Sequence, residues 1–442
     1  MFKDFFDGLQ GAIAAHSSPG IRPGLERVAL LLERLGNPQN SFKAIHVVGT
    51  NGKGSVSSFL SNILMYSGYR TATYTSPHLF HMGERLTING TMLSPEIWQE
   101  AAARIFGTIE ADPVLCNDSP SFFETLTAIS FLLMKEQDID IAVVEAGMGG
   151  RLDATNTMDK VILSIITNIG LDHSDYLGKD IRSIAEEKFA VIRNGGKALF
   201  YGGPEILVKR FKDICRGKNC TGKVLTEELS FANIKTGVNG TEYSLYMKGN
   251  GLTLPVTAEI PGLHQVSNSA LAILAAEELR KSFNRISIDN IRTGILHTKW
   301  AGRMEFISRR PLVMLDGAHN VQGTEVLVNS LKEMFDAKER NGMIFVYTSM
   351  SDKNYTKSLS LLSKCGAGII LTEIPGNQRC ESSDKLFEAA SAFRWRNDPV
   401  VVVDPFAAVR KGCSEAEIVI ICGSLYLIGF VRDNLIKEFS QI

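Results

Sequence analysis

The stretch from Ile45 to Ser55, Ile-His-Val-Val-Gly-Thr-Asn-Gly-Lys-Gly-Ser, constrains this chain more than any other. His46, Val47 and Val48 read as the end of a buried strand, and Gly49–Gly54 as a glycine-rich turn. Ser55–Tyr66 then reads as a helix, because Val56, Leu60, Ile63 and Leu64 recur at helical spacing. A strand, a turn of exposed backbone N–H groups and a helix N-terminus together make a cradle for phosphate. Lys53 adds a point charge and Ser55 a hydroxyl suited to Mg²⁺. A glycine-rich hairpin with a surface lysine is the plain alternative, but three glycines, a Lys and a Ser in this context favour nucleotide phosphate. The spacing is not that of the ordinary Walker A loop, since Gly54 stands between Lys53 and Ser55.

Strands alternate with helices on both sides of this stretch. Thr71–Thr75, Ile139–Val144, Val161–Thr167 and Lys197–Tyr201 read as strands, with helices at Gly24–Leu35, Pro95–Ile109, Phe122–Lys135 and Ile181–Ile192. That rhythm predicts a doubly wound parallel sheet. It breaks at Phe231–Lys235, Glu242–Lys248 and Leu252–Ala258, which read as an antiparallel meander, and a helix His264–Arg280 follows. Alternation resumes with Pro311–Leu315, Met343–Tyr347, Gly368–Thr372, Val400–Val403 and Ile418–Cys422. A chain of 442 residues exceeds one ordinary core. The expected class is α/β: an N-terminal P-loop NTPase-like parallel-sheet domain with the meander, residues 1–298, then a smaller Rossmann-like α/β domain, residues 299–442.

Charge narrows the function classes. Lys plus Arg number 47 and Asp plus Glu 48, so the net charge of −1 gives no global field toward nucleic acid or an anionic membrane. Seven dispersed cysteines without a CxxC pair read as reduced thiols rather than a zinc site. The acidic N-terminus does not read as a signal peptide, and the apolar run Ile418–Val431 is too short for a membrane span. A cytoplasmic monomer acting on small molecules is expected.

Several residues at strand ends carry chemistry. Glu145 ends a hydrophobic strand, where a phosphate-loop fold places its Mg²⁺ acid, or else it is a turn carboxylate. His173 follows a strand, but Mg²⁺ prefers oxygen, so residue type alone does not make it a ligand. Lys188, beside Glu186 and Glu187, reads by itself as a solvated helix charge. Asp316 follows the first strand of the second domain, where open α/β sheets bind ligands, and Arg303 is available to a phosphate; a turn Asp and a surface Arg are the alternatives. These residues describe an ATP- and Mg²⁺-dependent enzyme of two α/β domains with a cleft between them. They do not give its substrate.

The motifs taken together resemble the Mur ligase superfamily, and within it the dihydrofolate synthase/folylpolyglutamate synthases. The matching stretches are Gly-Leu-Glu-Arg-Val at 24–28, His-Val-Val-Gly-Thr-Asn-Gly-Lys-Gly-Ser at 46–55 and Thr-Ser-Pro-His-Leu at 75–79. They continue with Glu84-Arg85-Leu86, Phe-Phe-Glu at 122–124 and Glu-Ala-Gly-Met-Gly-Gly-Arg-Leu-Asp-Ala-Thr-Asn at 145–156. Leu-Asp-His-Ser-Asp-Tyr-Leu-Gly at 171–178, Glu-Lys-Phe-Ala at 187–190, Gly-Arg-Met-Glu at 302–305 and Leu-Asp-Gly-Ala-His-Asn at 315–320 complete the set.

The resemblance implies ATP-dependent amide ligation through an acyl phosphate, with the amine of L-glutamate attacking the activated carboxyl. It implies that Gly52, Lys53, Gly54 and Ser55 hold the triphosphate. It implies that Ser76, Glu145 and His173 bind Mg²⁺, and that Lys188 is carbamylated and binds a second Mg²⁺. It implies that Lys53, His173 and Lys188 carry the catalysis, with Asn268, Arg303 and Asp316 reaching ATP from the far side of the cleft. The pterin pocket would use Arg22, Pro23 and Gly24, then Ser121, Phe122, Phe123 and Glu124, and the loop Leu152, Asp153 and Ala154. The Arg-Leu-Asp-Ala-Thr-Asn loop is similar to that of bifunctional bacterial members, which implies addition of glutamate to both dihydropteroate and reduced folates. Polyglutamylation alone, a Mur-type ligase acting on a peptidoglycan precursor, and a nucleotide-binding module without ligase activity are the competing readings.

Overall fold

The computed structural model describes residues 2–171, 174–249 and 251–440. These divide into two compact units, one of residues 1–231, 245–256 and 267–298, the other of residues 232–244, 257–266 and 299–442.

The first unit is built on an eight-stranded sheet. Its strands are β1 (Lys43–Val48), β2 (Thr71–Tyr74), β3 (Leu86–Ile88), β4 (Thr91–Met92), β5 (Ile141–Glu145), β6 (Val161–Ile166), β7 (Lys197–Phe200) and β8 (Thr221–Val224), in the order β4-β3-β2-β5-β1-β6-β7-β8. From β2 to β8 every pairing is parallel. The β3 and β4 hairpin adds an antiparallel edge. Strands buried on both faces read as continuous apolar runs, and β5, Ile-Ala-Val-Val-Glu, is buried at every position.

Two apolar clusters cover the sheet. One gathers the helices Phe2–Ala15, Glu26–Arg34, Pro95–Ala111 and Phe122–Glu136, with Trp98 and Phe131 among its fully buried side chains. The Phe2–Ala15 helix has no counterpart in the sequence reading, although Phe6, Leu9 and Ile13 recur at helical spacing and are its buried face. The other cluster packs the helices Ile181–Phe189 and Glu205–Gly217 against β6, β7 and β8. At its centre Phe189, Phe200 and Phe211 stack edge-on and tilted, with ring centroids 5.3 to 5.7 Å apart, the geometry that aromatic quadrupoles favour.

Three strands follow: β9 (Leu229–Gly237), β10 (Gly240–Met247) and β11 (Thr253–Ala258), in the order β11-β10-β9. A two-residue connection between β9 and β10 requires an antiparallel pair, in accord with the expected meander.

The second unit carries a six-stranded sheet of β12 (Glu305–Arg309), β13 (Leu312–Leu315), β14 (Met343–Tyr347), β15 (Gly368–Leu371), β16 (Val400–Val401) and β17 (Ile418–Cys422), ordered β12-β13-β17-β14-β15-β16. All its pairings are parallel except β12 with β13. The α/β class with a parallel-dominated sheet in each unit agrees with the sequence reading. Among the described residues no helix is long and apolar enough to cross a membrane.

Phe200 is fully buried and touches both neighbouring rings. Phe200→Ala is expected to lower stability by about 3–5 kcal/mol, read as a lower denaturant midpoint with unchanged slope.

Candidate active site

The carboxyl ends of β1, β2, β5 and β6 lie side by side in the first unit, the edge at which open α/β sheets bind ligands. From β1 the chain turns through Gly49–Gly52 into the helix Lys53–Tyr66. Gly52 caps that helix with φ +84°, a left-handed conformation that a side chain rarely adopts, and a Cβ there would come within 2.6 Å of Asn268 Oδ1. The turn is braced from β6. Thr50 N–H donates to Asn168 O at 2.8 Å, Asn51 N–H to Asn168 Oδ1 at 2.8 Å, and the Thr167 hydroxyl to Asn51 O at 2.8 Å. Neither Thr167 nor Asn168 is among the expected site residues. The missing information is strand order, which puts the end of β6 beside β1.

Lys53 lies back along this turn. Its ammonium donates to Gly49 O and Thr50 O, both at 3.2 Å, and stands 3.9 Å from Glu145 Oε1. Glu145 is buried at the end of β5, next to Val47 in register, and its Oε2 accepts the Ser76 N–H at 3.3 Å. Gly52, Lys53, Gly54 and Ser55, expected to hold the triphosphate, therefore stand together at the N-cap and first turn of this helix, with Glu145 near Lys53 and Ser76 on Glu145. His173 lies outside the described residues.

Lys188 corrects the reading by residue type. It is not a solvated charge but 2% exposed, and its Nζ donates to Gly49 O at 2.9 Å. The reason is helical spacing: Lys188 falls on the face that Ile184 and Ala185 bury, while Glu186 points to solvent. Gly49 O thus receives two ammonium groups.

Next to Glu145 comes the loop 147–156. Asp153 is buried, and its Oδ2 accepts Met148 N–H at 2.8 Å while Oδ1 accepts Thr155 N–H at 3.0 Å and the Thr155 hydroxyl at 2.5 Å. Burial raises the Asp153 pKa, against these donors, which lower it. Arg151 N–H donates to Glu187 O at 2.9 Å, tying the loop to the Lys188 helix. Ala154 is buried and Leu152 half-buried.

The other expected pocket residues divide by role. Ser121 and Glu124 form a capping box at the start of the helix Phe122–Glu136. Arg27, which was not expected, donates to both Glu124 oxygens, at 3.3 and 3.1 Å, and to Arg22 O at 2.7 Å. Arg22 pairs with Asp118 at 2.7 Å; Pro23 is exposed and Gly24 half-buried. Phe123 lies over Gly147, where a Cβ would meet its ring at 2.6 Å. Phe122 lines a cavity of about 360 Å³ together with Gln10, Ala14, Ser17, Ser18 and Pro19.

Asn268 lies within the expected N-terminal domain, residues 1–298. It stands in the first unit against Gly52, because the helix Leu263–Arg280 contributes to that unit from Ser267 onward. In the second unit Asp316 follows β13 and accepts Met304 N–H at 3.0 Å and Ala318 N–H at 2.9 Å. Burial raises the pKa of its carboxyl; the Arg303 guanidinium opposes this most. Burial, reinforced by Arg303, pushes His264 down to about 4, so its ring is neutral.

A nucleotide and Mg²⁺ fit these residues. The turn offers backbone N–H groups, a left-handed glycine and a lysine to phosphate. A buried carboxylate with hydroxyls at Ser55 and Ser76 offers the oxygen donors a hard cation takes. Such a strand, turn and helix, in a chain with a second α/β unit, define a phosphate-loop nucleotide-binding protein. Residues 47–276 match the Mur ligase middle domain, and residues 302–425 the Mur ligase glutamate ligase domain. The chain is 34% identical over 434 residues to a dihydrofolate synthase/folylpolyglutamate synthase of Bacillus subtilis, covering 94% of this chain and 96% of that protein. It is also similar to the Mycobacterium tuberculosis folylpolyglutamate synthase complexed with ADP and AMPPCP, with a TM-score of 0.87, 26% identity and 98% of each chain covered. E. coli FolC in complex with DHPP and ADP is similar at a TM-score of 0.83, 27% identity and 98% of each chain. The chain belongs to the Mur ligase family, in its dihydrofolate synthase/folylpolyglutamate synthase branch, and is an ATP-dependent ligase.

The Arg27 and Glu124 side chains are 11% and 5% exposed, so removing one strands the other. Arg27→Met is expected to cost about 3–5 kcal/mol of stability. The double variant Arg27→Met/Glu124→Leu should recover most of that in the same denaturation experiment.

Proposed function

We propose that this protein joins L-glutamate to dihydropteroate, giving dihydrofolate, and to reduced folates, giving folylpolyglutamates. The observation that carries the reading is the convergence of Lys53, Glu145 and Lys188 on one phosphate turn, with the Asp153 loop anchored beside it. Similarity to relatives named for both activities, and to FolC holding DHPP and ADP, supports the choice of substrates.

The reaction transfers phosphate from ATP to the folate-side carboxylate, giving an acyl phosphate. The amine of L-glutamate attacks that carbonyl, and phosphate leaves. Lys53 and the N–H groups of the turn hold the phosphate chain and meet charge as it develops on the phosphoryl oxygens. Ser55, Ser76, Glu145 and His173 would hold Mg²⁺, with Lys188 as carbamate holding a second ion. The metal supplies charge neutralisation and template for the phosphoryl oxygens. Asn268, Arg303 and Asp316 contribute further ATP contacts.

Carbamylation of Lys188 suits its setting. Two ammonium groups converge on Gly49 O. A carbamate makes one of them an anion and keeps one N–H on its nitrogen, so the bond to Gly49 O can persist. In the substrate pocket Phe122 and Phe123 offer aromatic faces to a pterin, and Arg22, Pro23, Gly24, Ser121, Glu124, Leu152, Asp153 and Ala154 shape it. Small-molecule chemistry of this kind, with seven free thiols, suits a cytoplasmic monomer.

Phosphate release with dihydropteroate and with a reduced folate monoglutamate, each with and without L-glutamate, tests the reading. Glutamate-dependent release with both is expected; release with a muramyl substrate instead would overturn it. Lys53→Ala should abolish turnover. Lys188→Ala should lower it by about 10²–10³-fold, the scale of losing a transition-state electrostatic group, with partial rescue by formate or acetate. Full activity in Lys188→Ala would remove the carbamate from the mechanism.

A further inference from the structure

His46 is out of keeping with its strand. It lies on β1, where Ala44 to Val48 are all buried, and it is 0% exposed. Its Nε2 is 2.8 Å from Thr155 Oγ1, while its Nδ1 has no hydrogen-bond partner among the described residues. A buried ring nitrogen left unsatisfied is unfavourable beside an apolar side chain of similar size. Packing therefore does not account for an imidazole here.

The hydrogen bonds run in one direction. The single Thr155 hydroxyl proton goes to Asp153 Oδ1, so the Thr155 oxygen accepts and His46 Nε2 carries the hydrogen. The ring is neutral, since burial, helped by the charge of Arg193, pushes its pKa down to about 3. Asp153 in turn holds Met148 N–H and Thr155 N–H. Such a chain of donors strengthens each bond along it.

We infer that His46 is a positioning residue for the substrate loop. Through Thr155 it fixes the Asp153 carboxylate, and so holds residues 147–156 against the strand that leads into the phosphate turn. The name of the affected substrate rests on the folate-ligase reading; the relay does not. His46, on a strand, and Gly49, at the turn that follows it, then give the two halves of the reaction a common base: the turn holds ATP and the relay sets the loop beside the acceptor carboxylate.

The test compares His46→Leu and Thr155→Val, which remove the donor and the hydroxyl at similar volume, with His46→Gln and Thr155→Ser, which keep them. His46→Leu and Thr155→Val should raise KM for dihydropteroate about tenfold, the size of one lost hydrogen bond, and move KM for ATP by less than about twofold. Deuterium uptake over 147–156 should quicken in both, and the double variant should be no worse than Thr155→Val alone. His46→Gln and Thr155→Ser should return toward the parent values. The thermal midpoint of His46→Leu should not fall, since that change removes an unsatisfied buried nitrogen. Equal rises in both KM values, unchanged uptake, or effects that multiply in the double variant would overturn the relay. If the parent enzyme shows no dihydropteroate-dependent phosphate release, the substrate reading fails, and uptake over 147–156 still decides the relay.

Discussion

The turn between β1 and the helix Lys53–Tyr66 leaves backbone N–H groups without intrahelical partners, and the rest of the first unit is arranged around that fact. Those groups and the helix dipole favour an anion. The turn must hold its shape whether or not an anion is there, and it does so through borrowed contacts. Asn168 and Thr167 at the end of β6 take up Thr50 and Asn51, and Gly49 O takes Lys188 from a helix much later in sequence. A parallel sheet is what brings these ends together, since its strands all deliver their carboxyl ends to one edge.

The same economy governs the carboxylates. A carboxylate has about four acceptor positions. Glu124 spends three on Ser121 N–H and the two Arg27 donors, and Asp153 spends three on Met148 and Thr155. Most of their capacity is turned inward, to hold a helix start and a loop. Glu145 differs. It accepts the Ser76 N–H at 3.3 Å and stands 3.9 Å from the Lys53 ammonium, at the edge of the sheet where the phosphate turn begins.

Much of this was legible in the sequence, for reasons that differ by residue. The phosphate turn is local: its glycines, lysine and serine are contiguous, and the strand before it and helix after it have clear periods. Glu145 was legible because a buried strand ends on an acid. The burial of Lys188 was not legible from residue type, because its neighbours Glu186 and Glu187 suggest solvent, while the Ile184 and Ala185 spacing that buries it is weaker. The contact of Asn268 with Gly52 was not legible, because it joins two elements more than two hundred residues apart. Thr167, Asn168, Arg27 and Thr155 act across elements far apart in sequence, so their partners depend on strand order and helix packing. The Phe2–Ala15 helix was within reach; Gly8 and Gly11 weaken its helical signal, and Phe6, Leu9 and Ile13 carry it.

The direction of the bonds among His46, Thr155 and Asp153 bears on how a ligase of this kind keeps two substrates in step. Phosphoryl transfer requires the acceptor carboxylate in line with the γ-phosphate, and an error of an ångström at either end is costly. If the loop and the phosphate turn were anchored to different elements, their relative motion would add to that error. Here the turn grows directly out of β1, and the loop is pinned to β1 by His46 through Thr155 and to the Lys188 helix by Arg151 N–H on Glu187 O. That helix is itself bound to the turn through Gly49 O. The connections close a ring of strand, turn, helix and loop, so displacement of one member is resisted by the other three. A buried, half-satisfied histidine is the cost of closing that ring at the strand.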